Sequence, residues 1–287
     1  MLKIAVIANC QARPIAILCK QLAPEVEITG VGVVHLASSE DEAFVVGACE
    51  SADVIFAQLV QDNYPIPFVR TNALKAAHPN KVVVWPNLFF RGQCPDLYYA
   101  TGIGRQRLTG PLTEYHLRTV LDGWVDGVPV SETTTRIRDG SMASSLDIGD
   151  QSLRQLRHRE KMTDIQICDV IEASWTHQRL FFTFNHPRTA LLEAVTRRLL
   201  QTAGIAVTGK LPPRFREALN RIIPPMTHAM RQTLGLDFGE EDEPIRGMAW
   251  PPMAGNRPIE YALSDLVETF YRAYDAQAEL ARAAKLS

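Results

Sequence analysis

The sequence predicts an α/β protein with a mostly parallel central sheet flanked by helices. Two observations support this prediction. Short apolar segments alternate with segments of helical periodicity through the first 85 residues, and a second junction between an apolar strand and a helix follows at 180–188. Alternation of this kind is typical of right-handed βαβ units, which build parallel sheets.

The first half contains strands with an apolar core and helices with recognisable start signals. Ser39, followed by Glu42 three residues later, predicts a capping box at the start of the second helix. The predicted elements, in order, are strand 3–8, helix 14–22, strand 26–34, helix 40–50, strand 53–58, helix 71–77 and strand 81–85.

The rest of the chain is less regular. Residues 86–150 are rich in Gly and Pro and are predicted to form an insertion or lid, with one helical pattern near 112–124 and a mixed polar stretch at 129–149. A long helical pattern covers 150–175, strand 180–184 follows, a helix runs from Pro187 to Gly204, and a final helix covers 259–284, while 205–258 stays unassigned. We expect an α/β core over 1–205 and a helical C-terminal extension packed on it over 206–287.

Composition is that of a folded, soluble protein. The 287 residues are 46% hydrophobic and 22% charged, and no apolar run approaches the roughly 18 residues that would predict a transmembrane segment. Thirty Lys and Arg residues oppose 32 Asp and Glu residues, a net charge of −2. This balance predicts no nucleic-acid partner, so an anionic ligand would need a local cluster of cations.

Five cysteines occur, at positions 10, 19, 49, 94 and 168. Their odd number and the lack of CxxC spacing favour neither a disulfide framework nor a zinc site. We therefore expect a reducing, cytoplasmic location and no bound metal. Cys19, Cys49 and Cys168 are predicted to be core residues, and Cys94 is predicted to lie either in the core or in a pocket wall.

Cys10 lies where the first strand leads into the first helix. Unpaired N–H groups at a helix start favour a thiolate and can hold an oxyanion. His186 lies at the second such junction, and loops at the carboxyl ends of parallel strands share one sheet edge. We therefore expect a catalytic pair, in which the imidazole takes a proton from the thiol or from a sugar hydroxyl. The alternative is a buried, inert Cys10 and a helix-capping His186.

Polar residues follow the other predicted strands. Asp62 is the candidate carboxylate that orients the imidazole, with a plain polar turn as the alternative. The candidate oxyanion- or substrate-positioning residues are Asn9, Gln11, Asn63, Tyr64, Asn87 and Asn185. The candidate contacts to cofactor phosphates are Arg13, Arg91, Arg179 and Arg188, for which a solvated surface position is the alternative. The histidines at positions 35, 78, 116, 158, 177 and 228 show no metal-ligand spacing and are predicted to be surface or capping residues.

Four segments together resemble one family. They are Ile-Ala-Asn-Cys-Gln at 7–11, the segment 58–64, Trp-Pro-Asn-Leu-Phe-Phe-Arg-Gly at 85–92 with Pro95 beyond it, and Leu-Phe-Phe-Thr-Phe-Asn-His-Pro at 180–187. The sequence is similar over about residues 1–205 to the WcbI-type polysaccharide-biosynthesis proteins, which are regarded as acetyltransferases. Members usually begin with Gly-Asn-Cys-Gln, and here Ala8 replaces the glycine.

The resemblance implies a protein that binds coenzyme A (CoA) and moves an acetyl group from acetyl-CoA to a hydroxyl of a capsular or surface polysaccharide precursor. Its partners would be CoA and a glycan or activated-sugar acceptor. Carried over, Cys10 and His186 would be the reactive pair, with Asn9, Gln11, Asn87 and Asn185 nearby. Two alternatives stay open: an ester or thioester hydrolase that uses the same pair, and a non-catalytic CoA- or glycan-binding protein. The acceptor sugar and the oligomeric state also stay open.

Overall fold

The structure is a computed structural model that describes residues 1–102, 104, 106–141, 147–238, 243–252, 255 and 257–285. The chain divides into two compact units. Unit 1 comprises Met1–Phe89, Leu153–Ala173 and His186–Leu219, and unit 2 comprises Phe90–Ser152, Ser174–Asn185 and Asn220–Ser287. The division that the sequence predicts near residue 205 stays a prediction.

The helices and strands of both units are numbered here in chain order. They are β1 (Lys3–Ala8), α1 (Ala12–Leu22), β2 (Glu27–Val33), α2 (Glu42–Ser51), β3 (Val54–Gln58), α3 (Thr71–Ala77), β4 (Val82–Trp85), β5 (Leu97–Tyr99), β6 (Tyr115–Leu117), α4 (Arg118–Val125), α5 (Val130–Arg138), α6 (Ile148–Glu160), α7 (Cys168–Ser174), β7 (Phe181–Thr183), β8 (His186–Pro187), α8 (Thr189–Thr202), α9 (His228–Leu234), β9 (Ile245–Met248), β10 (Pro258–Tyr261), α10 (Leu263–Asp275) and α11 (Ala278–Lys285).

Unit 1 is built on a four-stranded parallel sheet with the order β2-β1-β3-β4. The register pairs Ala8 with Val33 and Gln58 with Trp85, so the carboxyl ends of all four strands lie along one edge. The chain leaves β1 toward β2 and then crosses to β3 on the other side. The topological switch point, where α/β sheets bind ligands, therefore lies between β1 and β3. The predicted α/β fold with a parallel sheet is confirmed.

Helices cover the sheet because its strands are apolar on both faces. β1 is fully buried from Ile4 to Ala8, as expected for a parallel strand between two helical layers. On one face, Ile7 and Ile55 of the sheet pack with Val45 of α2 and Leu74 of α3. Helices α1 and α8 contact each other, and α8 contacts β4.

The start of the second helix differs from its prediction by one residue. The capping box is formed by Ser38 and Asp41, whose carboxylate accepts the Ser38 backbone N–H at 2.8 Å, and not by Ser39 and Glu42. The box caps a 3-10 turn that precedes α2. Sequence spacing alone does not distinguish the two registers, because both place an acidic residue three positions after a serine.

The predicted long helix at 150–175 is wrong, since the chain there forms α6 and α7 with a break between them. The break has two causes. The Glu160 carboxylate accepts the backbone N–H groups of Ile167 at 2.5 Å and Cys168 at 2.7 Å, which caps α7. Asp164 pairs with β4: its backbone N–H donates to the Val84 carbonyl at 2.9 Å, and its carboxylate accepts the Val84 N–H at 2.7 Å.

Unit 2 corrects three further predictions. The helical pattern near 112–124 is a strand, β6, followed by α4, and β6 pairs antiparallel with β5. The polar stretch at 129–149 contains α5, and its residues 142–146 lie outside the described residues. The final helix predicted over 259–284 is instead β10, α10 and α11, with β10 paired antiparallel to β9. These elements are stabilised by contacts with residues distant in sequence. Local periodicity carries no information about such contacts.

A buried histidine lies in the core of unit 2. His116 has no exposed surface, and its ring nitrogens lie 2.9 Å from Tyr274 Oη and 3.1 Å from the Leu108 carbonyl oxygen. Burial lowers its pKa from 6.5 to about 4, so the ring is neutral at pH 7. The prediction that His116 is a surface or capping residue is wrong.

Within the described residues of both units, the helices are too short or too polar to cross a membrane.

Candidate active site at the carboxyl edge of the unit 1 sheet

The turn between β1 and α1 holds Cys10 by backbone geometry. The Asn9 side-chain oxygen accepts the Gln11 backbone N–H at 3.0 Å and lies 3.7 Å from Cys10 Sγ, and the Asn9 carbonyl accepts the Ala12 N–H at 3.0 Å. Asn9 thus has a turn-forming role, which is common for Asn where a strand leads into a helix. Cys10 is thereby placed at the amino end of α1, where it is partly exposed.

Two buried glutamines connect this turn to β3. Gln58 Oε1 accepts the Asn9 backbone N–H at 3.1 Å, and Gln58 Nε2 donates to Gln11 Oε1 at 3.2 Å. Gln11 has no exposed surface and Gln58 is 2% exposed. Because Gln58 ends β3 and the turn follows β1, these bonds cross the switch point and set the height of Cys10 above the sheet.

The Cys10 thiol is protonated at neutral pH. Burial raises its pKa from 9.0 to about 11, and a backbone hydrogen bond opposes this only in part. The expected preference for thiolate at the helix start is therefore outweighed by desolvation. A reaction at this sulfur requires a base to remove its proton.

The cysteines at 19, 49 and 168 are buried, which confirms them as core residues, and Cys94 is buried as well.

His186 begins β8 and is half-buried. Burial, reinforced by electrostatic repulsion from His35, lowers its pKa from 6.5 to about 4. The imidazole is therefore neutral at pH 7 and able to accept a proton. His35 lies in the 3-10 turn Val34–Leu36 that directly follows β2. This turn lies at the carboxyl edge of the sheet, because β2 pairs with β1 as far as Val33 and Ala8.

The loop after β3 contributes three predicted site residues with different surroundings. Asp62 and Asn63 are exposed, and the Asp62 carboxylate accepts the Asn72 side-chain amide at 2.7 Å. Tyr64 Oη donates to the Val34 carbonyl at 2.9 Å. Tyr64 therefore fixes the turn that carries His35. Asp62 as the orienting carboxylate and Asn63 as a positioning residue stay predictions.

Asn87 and Asn185 have their side chains engaged within their own units. In unit 1, Asn87 Nδ2 donates to the Leu59 carbonyl at 3.1 Å, which links the loops after β3 and β4. In unit 2, Asn185 Oδ1 accepts the Tyr115 hydroxyl at 2.7 Å, and Asn185 Nδ2 donates to Tyr99 Oη at 3.0 Å. These bonds support structural roles, and the positioning roles stay predictions.

The four predicted phosphate-binding arginines also differ in their surroundings. In unit 1, Arg13 is exposed in the first turn of α1, and Arg188 Nε lies 3.1 Å from the Glu217 carboxylate. In unit 2, Arg91 donates to the Pro95 carbonyl at 2.7 Å, and the buried Arg179 forms an ion pair with Glu243. Arg13 is thus the predicted contact with the most accessible guanidinium.

A separate cavity of about 510 Å³ lies elsewhere in unit 1. Residues of α2, α3 and the turn before β4 line it, including Cys49, His78 and Lys81. They neighbour the amino ends of β3 and β4, so the cavity is at the sheet edge opposite Cys10. We take the switch point as the candidate site, because ligands of parallel α/β sheets bind at the carboxyl ends of the strands, whereas this cavity lies at their amino ends.

His35 is exposed, as predicted for a surface histidine, and it also lies at this edge of the sheet. Its position carried a usable signal, because His35 follows the end of β2 by two residues just as Cys10 follows the end of β1. Strands β1 and β2 pair as far as Ala8 and Val33, so both residues lie at the same edge. Among the residues that the structure describes, no group of three or more His, Cys, Asp or Glu side chains could hold a metal ion.

Comparisons with known proteins identify the family and the fold of this chain. The sequence profile of the polysaccharide biosynthesis enzyme WcbI matches residues 3–208. The chain is similar to a solved structure of WcbI, described as a novel polysaccharide biosynthesis enzyme in its native form without a disulfide bond between CoA and one of its cysteines. The similarity has a TM-score of 0.70 at 17% identity and covers 99% of this chain and 98% of that chain, which shows a shared fold. No curated protein sequence matches. Because the profile covers more than half of its length, the chain belongs to the WcbI family of polysaccharide biosynthesis enzymes.

Proposed function

We propose that this enzyme binds CoA and transfers an acetyl group from acetyl-CoA to a hydroxyl of a capsular or surface polysaccharide precursor. Membership of a polysaccharide biosynthesis family supports the acceptor class. The description of the solved WcbI structure in terms of CoA and a cysteine supports the donor. In this chain, Cys10 at the switch point is the cysteine suited to that role.

The observation that carries the proposal is the position of Cys10 two residues after β1, at the carboxyl edge of the parallel sheet. His35 follows β2, β2 pairs with β1 up to Ala8, and Cys10 follows Ala8 by two residues. The charge of His35 acts on His186, which comes from a segment about 150 residues later. We infer that Cys10 and His186 meet at this edge, because a thiol and a neutral imidazole together suit acyl transfer.

The protonation states define what each group does. At pH 7 the Cys10 thiol is protonated and the His186 imidazole is neutral. In direct transfer, His186 takes the proton of the acceptor hydroxyl while the hydroxyl oxygen attacks the thioester carbonyl. The same proton then passes to the departing sulfur of CoA. In covalent transfer, His186 takes the Cys10 proton while Cys10 Sγ attacks the thioester carbonyl, and this proton then passes to the departing sulfur of CoA. His186 next takes the proton of the acceptor hydroxyl while the hydroxyl oxygen attacks the acetyl-Cys10 carbonyl, and that proton returns to the departing Cys10 sulfur.

Arg13 fits the charge of the donor. Its guanidinium is exposed on α1 three residues after Cys10, and the amino end of a helix attracts phosphate. A nucleotide phosphate bound there would leave the thioester arm to reach Cys10. Phosphate contacts by Arg91, Arg179 and Arg188 stay part of the proposal with less support, because each has a partner within its own unit.

Calorimetric titration with CoA and acetyl-CoA, followed by an assay of acetyl transfer to a polysaccharide precursor, tests the proposal. We expect saturable binding of both, acetyl transfer only with acceptor present, and a roughly 10²- to 10⁴-fold loss of kcat in His186→Gln. The matched control His158→Gln, at an exposed histidine of α6, should keep full activity. Steady CoA release without acceptor would indicate the hydrolase, and binding without turnover would indicate the non-catalytic protein.

Mass spectrometry of the enzyme after mixing with acetyl-CoA separates the two routes. An acetyl adduct on Cys10, absent from Cys10→Ala, would support covalent transfer. Full activity of Cys10→Ala would exclude it and leave His186 acting directly on the acceptor hydroxyl.

A further inference from the structure

The carboxylate of Glu217 lies at the junction between β8 and α8 in unit 1. Glu217 Oε2 accepts the Thr189 backbone N–H and the Thr189 hydroxyl, both at 2.8 Å, and Glu217 Oε1 accepts Arg188 Nε at 3.1 Å. The carboxylate thus binds two consecutive residues through three hydrogen bonds. Its side chain is 24% exposed, so water competes for these bonds less than it does at a fully exposed ion pair.

Glu217 acts as the cap of α8 in place of the N-cap residue. That residue is Arg188, and an arginine side chain has no oxygen that could accept the first N–H groups of the helix. Its cation also lies at the positive end of the helix dipole, where a charge of that sign is unfavourable. The Glu217 carboxylate accepts the Thr189 N–H and offsets the Arg188 charge, so one side chain removes both costs.

Glu217 ends a segment that runs back along α8. The segment 203–217 begins where α8 ends and finishes at the first residue of α8. Near its middle, Thr208 and Gly209 donate their backbone N–H groups to the Leu22 carbonyl of α1 at 3.0 and 2.9 Å. The segment is therefore fixed to α1 before it reaches the junction, which limits how far Glu217 can move.

The junction is connected stiffly to His186. Pro187 lies between His186 and Arg188. The proline ring fixes its own φ and restricts the backbone of the residue before it. The bonds from Glu217 to Arg188 therefore restrict the backbone of His186 as well. A displacement of about 1 Å in an active site can lower a rate about 10²-fold, so this restraint matters for the base of the proposed reaction.

We propose that Glu217 is a positioning residue for His186, which it holds through Arg188 and Thr189 at the start of α8. It lies 28 residues after Thr189, in the part of the sequence that periodicity leaves unassigned, so the sequence alone did not indicate it. The restraint on the His186 backbone depends on the hydrogen bonds of Glu217, whereas its effect on catalysis rests on the proposed function.

Modification of His186 by diethyl pyrocarbonate tests the restraint without an assay of activity. The reagent acylates a neutral imidazole, and mass spectrometry of the His186 peptide gives the rate, with His186→Gln as the blank. Glu217→Ala should increase this rate about fivefold, the effect of losing about one net hydrogen bond that keeps the junction closed. Glu193→Ala is the matched control and should react like the wild type, because Glu193 is 27% exposed and pairs with Arg197 at 2.7 Å on the same helix.

The kinetics of acetyl transfer give a second readout. In Glu217→Ala, kcat should fall about 10- to 10²-fold while KM for acetyl-CoA does not increase, since a misplaced base affects the chemical step and not the binding of the donor. Glu217→Gln keeps an oxygen for the Thr189 N–H but loses the ion pair with Arg188. Its modification rate and its kcat should therefore lie between those of the wild type and of Glu217→Ala.

Equal rates of His186 modification in Glu217→Ala and Glu193→Ala would overturn the proposal, as would an increase in KM at unchanged kcat. If Glu217→Ala does not fold, the same comparison is made with Glu217→Gln, whose side chain has nearly the same volume. A wild-type enzyme that transfers no acetyl groups would instead refute the proposed function and leave the modification result intact.

Discussion

Gln58 and Gln11 form a buried amide-to-amide hydrogen bond of 3.2 Å across the switch point of the unit 1 sheet. The other end of the Gln58 side chain accepts the Asn9 backbone N–H at 3.1 Å. One side chain therefore satisfies two polar groups of the turn that carries Cys10. Buried polar groups of this kind are costly to leave without partners.

Replacing Gln58 by Leu should lower the free energy of unfolding by about 1–3 kcal/mol, because it removes two buried hydrogen bonds, one to the Asn9 N–H and one to the Gln11 side chain. Urea denaturation measures this loss. Gln201→Leu, at an exposed position of α8, is the control and should change stability by less than about 0.5 kcal/mol. Equal stability of the two variants would show that the buried bonds contribute nothing.

Iodoacetamide should alkylate Cys10 slowly at pH 7, with a rate that rises about tenfold per pH unit up to pH 9 and beyond. The reason is that only the thiolate reacts and burial raises the pKa of Cys10 to about 11. Mass spectrometry of the alkylated peptide gives the rate, with Cys10→Ser as the blank. A plateau in rate near neutral pH would instead indicate a thiolate paired with an imidazolium.

His116 should make the protein sensitive to acid. Its pKa is about 4 in the folded state and 6.5 when exposed, so the unfolded chain binds the extra proton as the pH falls through that range. The stability present above pH 6.5 is then lost, by about 2 kcal/mol between pH 7 and pH 5.

Urea denaturation of wild type and His116→Gln at both pH values measures that contribution. The variant is less stable at pH 7, since it loses the bond to Tyr274, but its stability should fall less between the two pH values. An equal fall in both proteins would contradict the low pKa of His116.

Gly140 and Gly127 form a matched pair for substitution by Ala. Both have positive φ, at 75° and 71°, so both variants carry backbone strain of about 1 kcal/mol. A Cβ at Gly140 would lie 2.8 Å from the backbone of Ala229, whereas no described atom lies within 4 Å of one at Gly127. Gly140→Ala should therefore lower the melting temperature clearly more than Gly127→Ala. Similar melting temperatures would show that the α9 backbone moves away from the added methyl group at little cost in stability.

The sequence predicted unit 1 well because its signals are local. Apolar runs such as 3–8 and the helical stripe after Pro187 are each complete within one segment, and β1 and α8 occur where they were expected. The break at Asp164 and the buried position of His116 depend on partners far along the chain, Val84 and Tyr274, which no local pattern contains. For the candidate site, strand ends predicted Cys10 and His186, whereas the electrostatic effect of His35 on His186 depends on a neighbour that only folding supplies.

The pairing of Asp164 with Val84 has a consequence for association between molecules. β4 is the last strand of the sheet, and the outer strand of a sheet offers unpaired N–H and C=O groups that can template the addition of a foreign strand. Here both groups of Val84 already have partners in Asp164, one in its carboxylate and one in its backbone. Asp164 thus protects this edge of the sheet from pairing with a strand of another molecule.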